Sequence, residues 1–264
     1  MSFKYILPIM ALTASATIAA EEYQLFTELK ADHVRVSGEN ETNWALDGTY
    51  FFDKKQTLGP LDQFEYINKV SNIGASFNRV FDNNVWAVDG EYFFANNIVV
   101  SASHQYFGSD FNVSTFGLGY LLADNFIVRA EAIKPKDEST AFLFSASYDL
   151  QLQNNDYIGF TAKVDDEFDY FEISSKYFAS FGQASYFAIG LGLADYDGTT
   201  AWNTELDYYF TKMTSVGVTY NKQDDFSVNA KHYLSSNWAL NAGYGSNADT
   251  SAVKVYSLSV IGQF

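Results

Sequence analysis

The sequence predicts an all-β chain, a transmembrane up-and-down antiparallel β-barrel of about sixteen strands. Three observations carry this: alternation at strand period along the whole chain, many aromatic residues at low mean hydropathy, and a last strand that stops on phenylalanine.

The first twenty residues read as an export signal. Lys4 precedes the apolar stretch Tyr5 to Leu12, and small residues follow up to Ala19 and Ala20. Cleavage after Ala20 leaves 21–264 as the barrel domain. The apolar stretch is too short to cross a bilayer as a helix. No later apolar run is long enough either, which leaves an exported soluble protein or a barrel.

Composition separates these two. With 24 Phe, 19 Tyr and 4 Trp, aromatics make up 18% of the chain, yet mean hydropathy is only -0.13. A barrel produces that pairing, because its strands alternate lipid-facing apolar residues with lumen-facing polar ones and carry aromatic girdles. Only 3 Pro and no Cys occur, which suits hydrogen-bonded ladders and gives no thiolate metal site or disulfide framework. The net charge of -16 excludes nucleic acid as a natural partner.

The period is clearest in a repeat. Trp44-Ala45-Leu46-Asp47-Gly48-Thr49-Tyr50-Phe51-Phe52 returns as Trp86-Ala87-Val88-Asp89-Gly90-Glu91-Tyr92-Phe93-Phe94, and more weakly as Trp202 to Phe210. Each copy puts its Trp, first Tyr and last Phe on one parity, as a strand requires, and the repetition suggests duplicated hairpins. Tyr120-Leu121, Tyr177-Phe178 and Tyr233-Leu234 end other strands in the same way, so these ends form one interfacial belt. The connections at the other end carry acids instead: Glu39, Glu41, Asp82, Asp110, Asp137, Glu138, Asp165, Asp195, Asp224 and Asp249. Alternating aromatic and acidic ends imply an even number of strands, with the count open between about 12 and 18.

The C-terminus is the most specific local signal. Tyr256, Leu258, Val260 and Phe264 share one parity, and the chain ends on the aromatic. This is the expected insertion signal, to be read by the barrel assembly machinery. The bland alternative is the last strand of a β-sandwich.

The segment Leu58-Gly59-Pro60-Leu61-Asp62-Gln63-Phe64 lies between the second and third strands. On this segment, and on the strand spacing of the whole mature chain, the sequence resembles the putative general bacterial porin family, the short outer-membrane porins of Gram-negative marine bacteria. Family members carry small apolar residues after Pro-Leu, whereas Asp62 and Gln63 follow here. Gly-Pro by itself is more often a plain turn.

About sixteen strands enclose an aqueous channel rather than a packed core. No connection at the acidic end exceeds about eight residues, so no long loop from that side folds in, and selectivity is expected from the wall. By parity the wall offers Asp47, Asp89, Glu91, Glu131, Asp149, Glu205 and Asp207 as acids, with Lys30, Arg129 and Lys254 as bases. Fixed negative charge concentrates cations, so a weak cation preference is expected. The bland reading of any one of these residues is that it solvates the lumen.

Other motifs have plain readings. His33, His104 and His232 fall at membrane interfaces, and no nucleophile or paired carboxylate marks a catalytic residue. Asp195-Tyr196-Asp197-Gly198 departs from a calcium loop, since its glycine comes early, and reads as a hairpin tip. Gly117, Gly119, Gly190 and Gly192 lie inside strands and relieve crowding. No cofactor or metal is called for. The acidic tips could hold divalent cations against lipopolysaccharide phosphates, although keeping the tips soluble is the plainer role.

The expectation is therefore a non-enzymatic outer-membrane porin passing ions and small hydrophilic solutes by passive diffusion. The alternative is a substrate-specific channel, for instance for a sugar or oligosaccharide. Outer-membrane lipid and lipopolysaccharide surround it, and a homotrimer is the oligomer to test.

Overall fold

The computed structural model describes residues 20–36, 39–80, 83–108, 111–182, 184–250 and 252–264. The expected export signal lies outside them except for Ala20, as do the acidic tips Asp82 and Asp110.

Sixteen antiparallel strands close on themselves: β1 (Glu22–Val36), β2 (Glu39–Gln56), β3 (Asn72–Val80), β4 (Asn83–Phe93), β5 (Ile98–Tyr106), β6 (Asn112–Ala123), β7 (Phe126–Pro135), β8 (Ala141–Gln151), β9 (Tyr157–Asp165), β10 (Tyr170–Phe181), β11 (Ser185–Tyr196), β12 (Thr199–Thr211), β13 (Thr214–Asn221), β14 (Asp225–Tyr233), β15 (Trp238–Asn247) and β16 (Val253–Gln263). Every strand pairs with its sequence neighbours, and β1 closes against β16 from Phe26 opposite Gln263 to Val36 opposite Val253. Closure removes the edges that an open sheet would leave unpaired in lipid.

Strand period decides which residues face out. In β2, Trp44, Leu46, Tyr50 and Phe52 are exposed, and their cross-strand partners Ala31, Leu29 and Leu25 on β1 share that face. The face continues around the barrel through Ile73, Val88, Phe116, Phe144, Phe160, Leu191, Leu206, Val218 and Leu258. Exposed apolar side chains cost little in hydrocarbon. The repeat residues Phe52, Phe94 and Phe210 form the belt expected at the aromatic end, together with Phe181, Trp238 and Phe264.

One local irregularity departs from simple parity. A register shift between Tyr23 and Leu25 leaves Tyr23 buried at 3% exposure, with its hydroxyl donating to the Ser236 carbonyl at 2.7 Å.

Glu22 at the start of β1 and Gln263 at the end of β16 lie at the same end of the barrel, here called the terminal end. Connections at the distal end are short, none longer than five residues between strand bounds. At the Asp197-Gly198 tip both residues have positive φ, 48° and 76°, and Asp195 Oδ1 accepts from the Gly198 amide at 3.0 Å. That is the geometry of a tight two-residue hairpin. The longest connection, 57–71 between β2 and β3, is at the terminal end, and it turns inward.

Candidate functional site

The inner face of the wall is polar. Ladder register places Lys30 beside Ala45 and Ser259, Asp47 beside Glu28 and Ser76, and Asp89 beside Gly74 and Ser103. Glu91 lies beside Asn72 and Ser101, and Arg129 and Glu131 lie beside Gly119 and Gly117. Asp149 is opposite Gly159, and Glu205 and Asp207 sit between β11 and β13 opposite Gly190 and Ala188. Most of these neighbours are small, which leaves room for the charged side chains on the lumen side. Asp149 is the exception, buried at 4% exposure beside Gly159, which the Tyr66 ring covers.

Lys254 is different. It shares the face of Tyr256, Leu258 and Val260 and pairs with Arg35 across the β1–β16 ladder. The expectation that it lines the channel is therefore corrected: Lys254 points outward. Its even number, the same parity as Tyr256, was the available signal. Parity also places Glu28, Asp32, Lys163, Glu172, Lys176 and Lys231 on the inner face, residues that the sequence reading passed over.

Several of the inward bases are already paired. Arg129 donates to Glu91 Oε2 from Nη2 at 2.9 Å and from Nε at 3.1 Å. Lys163 lies 3.1 Å from Glu172, and Lys30 lies 3.0 Å from Asp32. Lys231 meets Asp62 at 2.6 Å. Each pair cancels one base with one acid.

Asp62 belongs to the inner segment. Residues 57–71 touch strands on opposite sides of the barrel, which only a chain inside the lumen can do. Leu61 packs with Tyr233, Ala239 and Ile261 of β14 to β16. Ile67 packs with Val99 and Ile127, backed by Phe93 and Leu121, on β4 to β7. Leu58 and Tyr66 lie against Tyr157, Phe178, Ala188 and Tyr209 of β9 to β12. Phe64 meets Phe26 edge-on, with ring centroids 5.3 Å apart. The buried apolar core of the protein is thus within the lumen at the terminal end.

Polar contacts fix the segment in register. The Leu61 amide donates to the Lys212 carbonyl at 3.0 Å, and Gln263 Nε2 donates to the Leu61 carbonyl at 3.1 Å. Gln63 Nε2 donates to the Tyr209 hydroxyl at 2.6 Å, and Tyr66 and Thr161 hydroxyls bond at 2.8 Å. Lys55 sits over the Phe51 and Phe64 rings, 4.5 and 5.2 Å from their centroids. In the connection below, burial pushes the Lys212 ammonium down from its ordinary range, with the Glu21 carboxylate opposing that shift. The Gly-Pro-Leu segment is therefore more than a turn. Two inward aromatics of the repeats, Phe93 and Tyr209, serve as its seats, while Phe51 packs on Phe26 and under Lys55.

The wall is therefore not the only element in the lumen, since residues 57–71 occupy it at the terminal end. The short connections at the acidic end give no sign of this segment, because it enters from the aromatic end.

The sequence matches the family described as "Putative general bacterial porin" over residues 4–264. The chain belongs to this family. Three solved structures share the porin's fold. Acinetobacter baumannii outer membrane protein Omp33 has TM-score 0.62 at 16% identity, covering 92% of this chain and 99% of that one. A mutant of the Rh. blastica porin has TM-score 0.53 at 11% identity, covering 91% and 99%. Pseudomonas aeruginosa OccK11 has TM-score 0.50 at 8% identity, covering 93% and 98%. No curated protein matches significantly. Family and fold make this porin an outer-membrane, porin-type channel protein.

The three histidines lie on the porin's outer face, each against a cross-strand hydroxyl: His33 with Thr42 at 3.2 Å, His104 with Ser114 at 2.9 Å and His232 with Thr214 at 2.8 Å. Among the described residues, no three His, Asp or Glu side chains converge as a metal site would need.

Proposed function

We propose that the protein forms a water-filled, weakly cation-selective pore for passive diffusion of ions and small hydrophilic solutes, narrowed at its periplasmic end by residues 57–71. The observation that carries this reading is the charge left over on the inner face. Arg129, Lys163, Lys30 and Lys231 are each matched to a carboxylate. Lys176 adds one more inward base, while Glu28, Asp47, Asp89, Glu131, Glu205 and Asp207 add acids, so the uncancelled sign is negative. In a narrow aqueous lumen that sign raises the local cation concentration and lowers that of anions.

Orientation follows from general barrel architecture, in which an even strand count brings both termini to the periplasmic side. Export on residues 1–20, followed by insertion directed by the Tyr256 to Phe264 strand, belongs to the same proposal. Phe264 supports it by sealing the barrel seam: its amide donates to the Leu25 carbonyl at 2.8 Å.

A substrate-specific channel is favoured by one observation. Above the inner segment, Tyr66, Glu172, Ser174, Lys176, Asn203 and Glu205 line a recess of about 490 Å³ that also includes Gly190 and Gly192, over which the Glu205 and Asn203 side chains lie. Flux that saturates with solute concentration would select this reading.

The deciding experiment is single-channel recording of the refolded mature protein across a salt gradient. Discrete steps with a cation-signed reversal potential are expected. An anion-signed reversal, or silence from a demonstrably inserted barrel, would overturn the proposal.

A further inference from the structure

Arg35 on β1 and Lys254 on β16 are directly opposite each other, both exposed, on the outer face at the distal end. Such neighbours have Cα atoms roughly 5 Å apart, and like charges placed there repel. Among the described residues, neither side chain reaches a carboxylate. The nearby acids Glu39 and Glu41 oppose Val36 and Val34 and so belong to the inner face.

The Arg35 guanidinium is held in place. Its Nε donates to His33 Nε2 at 3.4 Å, while His33 Nδ1 meets Thr42 Oγ1 at 3.2 Å. The consistent assignment is a neutral His33 that donates from Nδ1 and accepts at Nε2. The guanidinium carbon lies 5.4 Å from the Tyr256 ring centroid. Among the described residues, one of its five N–H donors is engaged in this way, which leaves the terminal fork for a ligand. Lys254 adds three donors beside it, and Asn40, opposite Arg35 on β2, adds an exposed amide.

We infer that Arg35 and Lys254 form a binding site for a phosphate of the phosphorylated glycolipid, lipid A, in the outer leaflet of the outer membrane. A guanidinium fork takes two phosphate oxygens at once, and an adjacent ammonium adds charge without a geometric demand. Below the pair on the same face lie Tyr256, Leu258 and Val260, all exposed. A ligand here therefore has its anionic head level with the cations and its chains along the apolar strip. Solutes in the lumen meet the opposite face of these strands. The distal end faces the cell exterior, where that glycolipid is the phosphate-bearing lipid. A phosphate bridging the two cations also turns their repulsion into attraction.

The test is native mass spectrometry of the folded, detergent-solubilised protein titrated with bisphosphoryl lipid A, with phosphatidylglycerol and inorganic phosphate as comparison ligands. The wild type is expected to bind lipid A at least about tenfold tighter than R35Q/K254Q, as losing charge-assisted hydrogen bonds implies. Lys54→Gln, which removes an exposed cation from the other end of the barrel, should bind as wild type. R35K keeps the charge and loses the fork, so it gives an intermediate affinity and guards against a double variant that fails to fold. Conductance of all variants stays at the wild-type value, which separates this site from the channel. Equal lipid A binding by R35Q/K254Q would overturn the inference. So would phosphatidylglycerol binding as tightly as lipid A, or displacement of the lipid by inorganic phosphate.

Discussion

The Tyr66 ring lies flat on the backbone of Gly159: a Cβ at position 159 would come within 2.3 Å of the ring carbons. Gly159 opposes Asp149 on β8 and Lys176 on β10, so the inner segment is seated by a gap in the wall. Gly159→Val fills that gap. Overpacking of this kind costs roughly 1–3 kcal/mol, here borne by the segment's seat rather than by the strand ladder. The expected result is a folded barrel with larger single-channel conductance. Unchanged conductance would show that the segment does not narrow the pore.

The Asp62–Lys231 pair ties the same segment to β14 at 2.6 Å. Asp62→Asn removes the charge and leaves the Lys231 ammonium, only 22% exposed, without its counterion. A part-buried charge without its partner costs on the order of 1–3 kcal/mol. The segment should then visit other positions, seen as more frequent transitions between conductance levels in bilayer recordings. A trace as quiet as wild type would argue that the aromatic seats suffice.

Cation preference should follow the inner acids. In the triple variant D47N, D89N and E131Q, the reversal potential under a salt gradient moves toward zero, by more than the change produced by Lys54→Gln on the outer face. Equal shifts would mean that overall charge, not the wall, sets the sign.

Salt provides an independent check on that prediction. Raising ionic strength from about 0.1 to 1 M shortens the screening length from about 10 to 3 Å. The preference should fade over that range in the wild type, as measured by reversal potentials at fixed concentration ratio. A preference independent of salt would instead indicate a specific ion site.

Phe264 closes the seam and stacks edge-on with Trp238 at 5.2 Å, beside Gly262, where a Cβ would meet Trp238 and Phe264 ring carbons at 3.1 and 3.0 Å. Phe264→Ala should lower the yield of folded barrel, measured as the heat-modifiable band on a gel. The conductance of the molecules that do fold should not change.

Much of this architecture was legible in the sequence because strand parity is local. Trp44, Leu46, Tyr50 and Phe52 declare one face within nine residues, and the same alternation repeated around the chain determined the even parity of the strands, the outer apolar face and the aromatic belt, while the count of sixteen came from the closed ladder. Parity also carried the true orientation of Lys254. Its like-charged opposition to Arg35 was not legible, since that depends on the register between the first strand and the last. The inner segment was decided by tertiary structure alone. Gly59, Pro60 and Leu61 look like a turn, and Phe51, Phe93 and Tyr209 look like members of a girdle. Their roles appear only when contacts such as Gln263 to Leu61, 202 positions apart, are in place. Local alternation records which way a side chain points, whereas what it meets across a closed lumen is set by barrel closure, which no short stretch of sequence contains.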